Sequence, residues 1–551
     1  MPSTFDKFTW EIFHTIFDYL KTIDLLYAFV KINPYVNTIL HSYPRIQLNF
    51  KSMKKSTFYF ICEHIHPNQI QSLVLSDDEY TPGQIKLFMS LLPLIQFNNL
   101  QHISIDQIAD GNLLCLMLSH LENNVRIHSL SVNSELIDIN IKNARSITDI
   151  LTTLPSLKYL SFIDSSLLIT LRQPLSKVTH LTIYSCLFND LRIIFRWIPN
   201  LRYLKISVPF HDDILTSDHV LPHLSSLIIK SQSSMLFNQL ENFLSFTPSL
   251  KHLTLETMGE QAMLDGRRWE MLIKTKLPYL TEFALNITPE ENDMTADGVL
   301  SHFQNSFWTI DKHWQMACLI STMTQTCVQL FSVPQFSPTD SWYPPEEGFI
   351  NHSLNHYLFH EDCTHLRVSH FPSEILAPLF FKHIRILSLE CTTDNIDQIQ
   401  KIVDLFSVKH LKFGSSVRCR PFNDLLKYAP NIYQLTMDRK TLVQIIDSPP
   451  DDQKVYEQIK KLNVEDTILN KDIDQICQIF PKLEHVSLSV KEREDIFPIF
   501  NGLHYLTSAI VSWTHPFNTS PSIIDEYLNQ NSICTDGTYR FHASSLHVWI
   551  D

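Results

Sequence analysis

The chain has 551 residues, with 44 Lys and Arg against 58 Asp and Glu, and its formal net charge is −14. It has no basic stripe, which argues against a nucleic-acid partner. It also has no run of about 18 apolar residues, so we expect no membrane-spanning segment and no membrane partner.

The cysteines and glycines narrow the class of protein further. The ten cysteines are scattered and form no Cys-x-x-Cys pair, which is typical of reduced thiols, and the amino terminus has no apolar signal core. We therefore expect an intracellular protein, cytoplasmic and/or nuclear. Only nine glycines are present, and no phosphate-binding loop or hydrolase motif occurs. The sequence accordingly predicts no enzyme, no cofactor and no bound metal.

Residues 5–40 predict three short helices. Four apolar residues share one face of the first helix: Phe13, Ile16, Phe17 and Leu20. Asp24 is placed to cap the second helix, and Asn33 followed by Pro34 predicts the start of the third. A module this small has little stability of its own, so it needs a partner or a neighbouring domain to cover its apolar side.

An internal repeat follows. Seven prolines are each followed by large apolar residues two and five positions later: Pro155, Pro199, Pro222, Pro248, Pro278, Pro430 and Pro481. Repeats with a period of about 20–30 residues indicate a solenoid, whose chemistry is usually an extended binding surface.

The residues before Pro155 explain the shape of one repeat unit. An apolar helical stripe precedes the proline and consists of Ile147, Ile150, Leu151 and Leu154. Ser146 is placed to cap this helix, and Pro155 ends it because proline cannot continue a helix. The apolar residues after the proline, Leu157 and Leu160, then predict a short strand. Each unit is thus helix, stop and strand, and neighbouring units must stack to bury their apolar faces.

The second apolar residue after each stop marks a predicted strand, giving sixteen strands in two runs spaced by 20–30 residues. The first run of markers is Leu73, Ile103, Leu130, Leu160, Leu181, Leu204, Leu227, Leu253 and Phe283. The second run is Leu366, Leu387, Leu411, Leu435, Leu462, Val486 and Leu506. The predicted fold class is α/β, with an inner parallel sheet and outer helices.

The regular spacing fails between the two runs. Alternating apolar residues from Trp314 to Ile320, and a second apolar segment around Leu330, predict a β-hairpin there. We divide the chain into a helical module (1–45), a first arc of repeats (46–290), an irregular insertion with hairpin and loop (291–362), and a second arc with a carboxy-terminal cap (363–551). One continuous curved domain and two arcs joined by an insertion both fit, and we favour the continuous form.

A cluster of potential metal ligands lies near the second run: His356, His360, Glu361, Asp362, Cys363 and His365. His356 and His360 are four residues apart, which suits zinc on one helix face. Loose His and Cys clusters are weak motifs, and His365 already occupies a repeat position, so we predict no metal site.

The residue before each marker points out of the core onto the inner surface of the sheet. Aromatic and imidazole rings are enriched at this position. The candidate partner-binding residues of this concave face are His102, Tyr159, His180, Tyr203, His252, His410 and His485. Rigid rings suit protein recognition, and a row of histidines predicts binding that is sensitive to pH near 6–7.

Two resemblances follow from these patterns. The Leu-x-x-Leu-x-Leu units resemble the leucine-rich-repeat family over most of residues 46–510, although the Asn or Cys that ends the family motif is nearly absent. Residues 5–40 resemble the F-box, and depart from it where Phe8-Thr9 replaces Leu-Pro. The resemblance implies that an adaptor contacts this segment through Phe8, Glu11, Ile12, Ile16, Phe17, Leu20, Asp24 and Leu25.

An F-box followed by leucine-rich repeats is the arrangement of substrate receptors in Skp1–cullin–F-box ubiquitin ligases. The resemblance implies a Skp1-type adaptor, and through it a cullin, as partners, and a target protein held on the concave face. The residues do not assign Ile12, Ile16, Phe17, Leu20 and Leu25 individually to docking or to the module's core. The alternative is a leucine-rich-repeat scaffold that binds protein without ubiquitin chemistry, and a metal-dependent enzyme at residues 356–365 is a distant third.

Overall fold

The computed structural model describes residues 8–550 except 123, 135–140, 209–219, 291–292, 321–326, 334–348, 351–363, 369–379, 393–395, 416–421, 448–452, 515–520, 532, 534–536 and 543. The strands of the described residues form two sheets. Each sheet buries one face in a separate large apolar core. The expectation of one continuous curved domain stays a prediction, because much of the connection between the two arcs lies outside the described residues.

The first sheet contains β1 (Ile46–Asn49), β2 (Ile70–Ser76), β3 (His102–Asp106), β4 (Ser129–Asn133), β5 (Tyr159–Asp164), β6 (His180–Ser185), β7 (Tyr203–Val208), β8 (Ser226–Met235), β9 (His252–Gly259), β10 (Glu282–Pro289), β11 (Gln315–Ile320), β12 (Cys327–Val333) and β13 (Phe349–Ile350). Strands β1 to β10 lie side by side in chain order and are parallel. They are followed by β12, β11 and β13, which pair antiparallel.

The second sheet contains β14 (His365–Val368), β15 (Ile386–Leu389), β16 (His410–Phe413), β17 (Gln434–Met437), β18 (Lys461–Thr467), β19 (His485–Val490), β20 (Ser508–Trp513), β21 (Tyr539–His542) and β22 (Ser545–Trp549). Strands β14 to β20 are again parallel and in chain order. A terminal antiparallel hairpin of β21 and β22 completes the sheet, with β22 paired to β20.

Three helices precede β1, and the others occupy connections between strands. They are α1 (Trp10–Asp18), α2 (Thr22–Phe29), α3 (Pro34–Ser42), α4 (Lys55–His64), α5 (Gln84–Leu91), α6 (Gly111–Ser119), α7 (Ile141–Thr153), α8 (Phe188–Trp197), α9 (Phe237–Ser245), α10 (Gly266–Lys276), α11 (Ala296–Ser301), α12 (Ile396–Gln400), α13 (Phe422–Tyr428), α14 (Arg439–Asp447), α15 (Asn470–Ile479), α16 (Phe497–Gly502) and α17 (Pro521–Gln530). Short 3₁₀ turns, and one π-helical turn at Phe307–Asp311, fill other connections.

The predicted marker residues set the register of both sheets. All nine markers of the first run lie in strands and pair directly with one another; Leu181, for example, is opposite Leu160 on one side and Leu204 on the other. Six markers of the second run do the same, and all fifteen are nearly inaccessible to solvent. The sixteenth prediction was wrong, because Ala509 and not Leu506 is opposite Val486.

The helix ends follow the prolines, whereas only one of three helix starts follows its predicted cap. Helix α7 ends at Thr153, two residues before Pro155, and its apolar stripe is buried as predicted. It begins at Ile141, so Ser146 is an exposed residue within the helix and not its cap. Helix α2 similarly begins at Thr22, and Asp24 lies in its first turn. The third predicted start is correct, since Asn33 accepts a hydrogen bond from the Val36 N–H.

The first and last parts of the chain contact each other. We call this contact the end-to-end interface; it joins residues 53–58 and 77–83 to residues 461, 484–485 and 537–549. Trp549 of β22 is buried against the ring of Phe58, with the centroids 5.3 Å apart, and its indole N–H donates to the Met53 carbonyl at 2.9 Å. Trp549 therefore belongs to the apolar core of the first sheet although it is a residue of the second.

Polar groups add to the end-to-end interface. Lys55 is 1% exposed, and its ammonium donates to the Thr538 hydroxyl at 2.9 Å. The Arg540 guanidinium donates to the Asp77 carbonyl oxygen at 3.2 Å, and Lys54 forms an ion pair with Glu484 at 2.9 Å. The terminal repeats of a solenoid need to be capped. In this chain the carboxy-terminal hairpin packs on the segments that follow β1 and β2 of the first sheet.

Two glycines offer a test of this interface. Gly83 has a φ of 76°, and a Cβ added to it would lie 2.8 Å from the Gly537 carbonyl oxygen, whereas Gly537, with a φ of 67°, has free space around its own Cβ position. Gly83→Ala is expected to lower the free energy of unfolding by more than the ~1–2 kcal/mol of a left-handed alanine. Gly537→Ala is the matched control. It is expected to lower the free energy of unfolding only by the ~1–2 kcal/mol of a left-handed alanine. Urea unfolding of both variants measures the difference, and equal losses would contradict the close approach.

Candidate protein-binding surfaces

The amino-terminal helices share a small aromatic core. Phe13 and Phe17 of α1 are both buried, with ring centroids 5.9 Å apart. Phe17 also contacts Phe29 at 5.1 Å and Tyr43 at 5.4 Å. Leu25 of α2 is buried as well. The structure thus assigns Phe17 and Leu25, two of the predicted adaptor contacts, to the core of the module.

The module is fixed to the first repeat. The Tyr43 hydroxyl donates to the Asp18 carboxylate at 2.6 Å, and burial together with this carboxylate raises the tyrosine pKa. The Thr22 hydroxyl donates to the Gln47 carbonyl of β1 at 2.6 Å. The ring of Tyr27 stacks on Phe60 of α4, with centroids 4.5 Å apart. The Thr22 and Tyr27 contacts hold the helices against the first repeat, whereas the Tyr43–Asp18 bond lies within the module.

An adjoining face of α1 is apolar and exposed. Ile12 and Ile16 lie one turn apart and are 44% and 38% exposed, and Leu20, just beyond the helix, is 36% exposed. Tyr19 beside them is 86% exposed. We call Ile12, Ile16, Tyr19 and Leu20 the α1 stripe. The other predicted adaptor contacts, Phe8, Glu11 and Asp24, are also exposed.

A cavity of about 740 Å³ adjoins this stripe. It lies between the turn from α1 to α2 and the first two strands, and its walls include Leu20, Thr22, Gln47, Asn49 and Ser72. The wall is therefore mixed in polarity, with side chains of the helical module on one side and the inner face of the sheet on the other.

Three of the predicted concave-face residues form one group on the first sheet. Tyr159, His180 and Tyr203 are direct partners on β5, β6 and β7. The ring centroids of Tyr159 and His180 are 4.4 Å apart, and those of His180 and Tyr203 are 5.6 Å apart. A depression of about 290 Å³ lies beside the three rings and is also lined by hydroxyls of Ser161 and Thr182. Burial, together with the nearby Arg202, lowers the pKa of His180.

The remaining two candidates on the first sheet lie apart from these rings. His102 of β3 is exposed and is separated from Tyr159 by Ser129 of β4. Partial burial and then the nearby His128 lower its pKa. His252 of β9 lies beyond β8, and its Nδ1 is 2.9 Å from the Glu282 carboxylate of β10.

The second sheet places its histidines against hydroxyls of other strands. His365 Nε2 is 2.9 Å from the Ser388 hydroxyl, and His410 Nε2 is 2.9 Å from the Thr436 hydroxyl. His485 Nδ1 is 2.6 Å from the Ser508 hydroxyl. Burial and then Lys412 lower the pKa of His410 to about 4, and burial followed by Lys461 lowers that of His485 to about 4. The hypothesis of titration near pH 6–7 is therefore wrong for these two.

The depressed pKa of His485 predicts acid sensitivity. The folded protein favours neutral imidazole, so this stabilisation is complete above the ordinary pKa of 6.5 and is lost as the pH falls from 6.5 through about 4. For a side chain that is only 9% exposed, the loss amounts to roughly 3 kcal/mol. The variant His485→Gln, which cannot titrate, is expected to show a correspondingly flatter pH dependence of the free energy of unfolding. Urea unfolding at pH 7, 5.5 and 4 tests this, and parallel curves would contradict it.

His485 is also covered by another part of the chain. The ring of Tyr80, from the connection after β2, lies 5.3 Å from the imidazole of His485, and the ammonium of Lys461 lies 5.0 Å from the Tyr80 centroid. Sequence reasoning identified neither Tyr80 nor Lys461. The available signals were the acidic run Ser76-Asp-Asp-Glu-Tyr80 directly after a strand, and a lysine before the marker Leu462.

No group of three His, Cys, Asp or Glu that could hold a metal ion occurs among the described residues. The cluster from His356 to Cys363 lies outside them, and only His365 is described. Within the same described ranges, every helix is too short or too polar to cross a bilayer.

The strand order, the shared register of the markers and the connecting helices define a leucine-rich-repeat-like solenoid. No family model matches this chain, and no curated protein matches it.

Two solved structures resemble it weakly. A leucine-rich-repeat protein of Leptospira interrogans has a TM-score of 0.23 and 10% identity, over 76% of this chain and 96% of that one. A chain of the yeast Rad7–Elc1 complex has a TM-score of 0.23 and 10% identity, over 88% of each chain. At this TM-score neither likeness carries an argument about function.

Proposed function

We propose that this protein is a substrate-recognition subunit of a Skp1–cullin–F-box ubiquitin ligase. The three amino-terminal helices bind the Skp1-type adaptor, which connects them to a cullin. The concave face of the repeats binds the target protein. The chain itself carries out no chemistry, because holding a target near a ubiquitin-charged enzyme lowers the entropic barrier to transfer without a catalytic residue.

The α1 stripe is the observation that carries the adaptor role. The helices α1 to α3 already have an aromatic core and a fixed attachment to the first repeat. Ile12, Ile16 and Leu20 belong neither to this core nor to this attachment. They remain exposed on one side of the module. Contiguous exposed apolar surface on a folded module is typical of a protein-binding site. These three residues are also among those that the F-box resemblance assigns to the adaptor.

The rings of Tyr159, His180 and Tyr203 support target binding on the first sheet. Rigid rings lose little conformational entropy on binding, and their hydroxyl neighbours offer adaptable hydrogen bonds. The pKa of His180 is lowered, so this group presents a largely uncharged surface at neutral pH. An uncharged segment of a target protein fits such a surface.

A scaffold without ubiquitin chemistry is the second candidate. It is favoured by the start of the module, where Phe8-Thr9 replaces the Leu-Pro of the F-box. The Phe8 carbonyl oxygen accepts a hydrogen bond from the Tyr35 hydroxyl at 2.8 Å, so this segment is engaged within the module.

Co-expression with a Skp1-type adaptor, followed by size-exclusion chromatography, separates the two candidates. Co-elution at equal stoichiometry is expected for the receptor. Separate elution of two folded proteins would favour the scaffold.

A further inference from the structure

The connection from β2 to α5 occupies one end of the concave face of the second sheet. Its Tyr80 ring contacts both His485 of β19 and Lys461 of β18, at the distances given above. Both of these residues directly precede markers, which is the row where sequence reasoning placed partner contacts. A segment of the first arc therefore occupies part of a predicted binding row on the second.

Charge is complementary in this contact. The segment reads Ser76-Asp-Asp-Glu-Tyr80, so three carboxylates precede the tyrosine. Burial lowers the pKa of Lys461, whereas the nearby Asp78, Glu484 and Glu79 raise it. The lysine thus faces acidic groups of the segment while its ammonium lies near the Tyr80 ring. Such a cation–π contact is strongest when it is partly desolvated.

The folding of the segment itself does not require these contacts. The carboxylate of Asp78 forms the turn, because it accepts hydrogen bonds from the backbone N–H groups of Ser52, Tyr80 and Thr81. Asp77 accepts from the Ile85 N–H at the start of α5. The side chain of Glu79 is exposed. The turn thus presents Glu79 and the Tyr80 ring to the second sheet.

Beyond the segment, the concave face carries further positively charged side chains. Lys412 of β16 follows the marker Leu411, and Arg367 of β14 follows Leu366 and forms an ion pair with Glu390. His410 stays neutral at pH 7 because its pKa is about 4. Among the described residues of strands β14 to β20 on this face, Lys461, Lys412 and Arg367 supply the positive charge, and Lys412 and Arg367 lie outside the part that Tyr80 covers.

We propose that the concave face of the second sheet binds an acidic segment that contains a tyrosine, and that residues 77–80 are its intramolecular occupant. A partner segment of the same chemistry would extend along Lys412 and compete with Tyr80 at Lys461. Recognition of acidic motifs by clustered cations is a recurring mode of peptide binding. This inference rests on the concave-face part of the proposed function and not on the adaptor role.

A peptide-binding experiment with the full chain tests the proposal. The probe is a fluorescein-labelled peptide with the sequence of residues 76–83, and fluorescence anisotropy reports its binding. Tyr80→Ala removes the intramolecular ring but keeps the Asp78 turn, and this variant is expected to bind the peptide about tenfold more tightly than the wild type. Higher ionic strength is expected to weaken binding.

Matched variants and peptides provide the controls. Lys412→Glu is expected to weaken binding about tenfold, in both the wild-type and the Tyr80→Ala background. Lys205→Glu, which alters the equivalent position after the marker Leu204 on the first sheet, is expected to have no effect. A peptide with Asn and Gln in place of its acidic residues, and one with alanine for the tyrosine, are expected to bind poorly.

Three outcomes would overturn the proposal: no binding to either background, equal binding of the neutral peptide, or equal losses in Lys412→Glu and Lys205→Glu. No adaptor is present in this assay, so its failure would leave the result of the co-elution experiment unaffected.

Discussion

Replacing Ile12 and Ile16 together with aspartate is expected to abolish co-elution with a Skp1-type adaptor. Both residues are well exposed, so the free energy of unfolding should stay within about 1 kcal/mol of the wild-type value. In a complex, however, each new carboxylate would be buried without a partner, which costs about 2–5 kcal/mol per charge. The combined loss in affinity is on the order of a thousandfold or more. Size-exclusion chromatography of the co-expressed proteins, with urea unfolding of the isolated variant, measures both effects.

The choice of residues and of the control depends on burial. Phe17 is 1% exposed, so an aspartate there would unfold the module and say nothing about docking. Ile193 of α8 is 40% exposed, close to the values of Ile12 and Ile16, and lies on a repeat helix. Ile193→Asp is therefore the matched control and should retain full co-elution. Co-elution of the double variant would mean that the adaptor does not bind through the α1 stripe.

Trp549→Ala is expected to lower the free energy of unfolding by about 3–5 kcal/mol. The side chain is 1% exposed, packs on Phe58, and donates its indole N–H to the Met53 carbonyl. Trp549→Phe keeps much of the ring packing and loses the hydrogen bond, so it should recover more than half of the loss. Urea unfolding gives these values.

Hydrogen exchange distinguishes a broken end-to-end interface from general destabilisation. Trp549→Ala should increase exchange in residues 53–58, because those residues lose their cover from the carboxy-terminal hairpin. Trp513→Ala removes another buried tryptophan of the second sheet and should destabilise comparably without that local increase. The same exchange pattern in both variants would show that the two ends are not coupled through Trp549.

Most of the repeat architecture could be predicted, because a single apolar residue per unit determines the register. Each marker is buried opposite the next marker. The positions of the markers in the sequence therefore give the pairing of the strands directly. β1 was missed because Leu48 precedes the first unit that shows the pattern. Leu503 and Leu506 match the repeat spacing, yet the strand begins at Ser508, where Ala509 and Val511 enter the core. Spacing alone does not distinguish these two registers.

The helix starts were predicted less well, because several residues near a helix start can act as caps. Ser146 and Asp24 both have capping side chains, but α7 begins at Ile141 and α2 at Thr22, so both residues lie inside their helices. Asn33 was correct because Pro34 fixes the first helical position.

The candidate sites could be predicted only in part. Two adjoining faces of α1 are apolar, so periodicity could not separate Phe13 and Phe17, which are buried, from Ile12 and Ile16, which are exposed. The rings of Tyr159, His180 and Tyr203 were predicted as neighbours because they share one position in consecutive repeats. Tyr80 and Lys461 were missed because one lies in a connection of the first arc and the other in a strand of the second, and no local pattern records a contact between them.

The end-to-end interface constrains how this protein can evolve. An open solenoid can gain or lose a unit at little cost, because each unit contacts only its neighbours. Here, deleting one unit would move the carboxy-terminal hairpin by about 4.8 Å, the spacing of adjacent strands. The indole N–H of Trp549 could then no longer donate to the Met53 carbonyl, since a hydrogen bond of 2.9 Å tolerates no such displacement. Duplication or loss of a repeat within either arc should therefore be selected against, so that the lineage varies in the composition of its units and keeps their number constant.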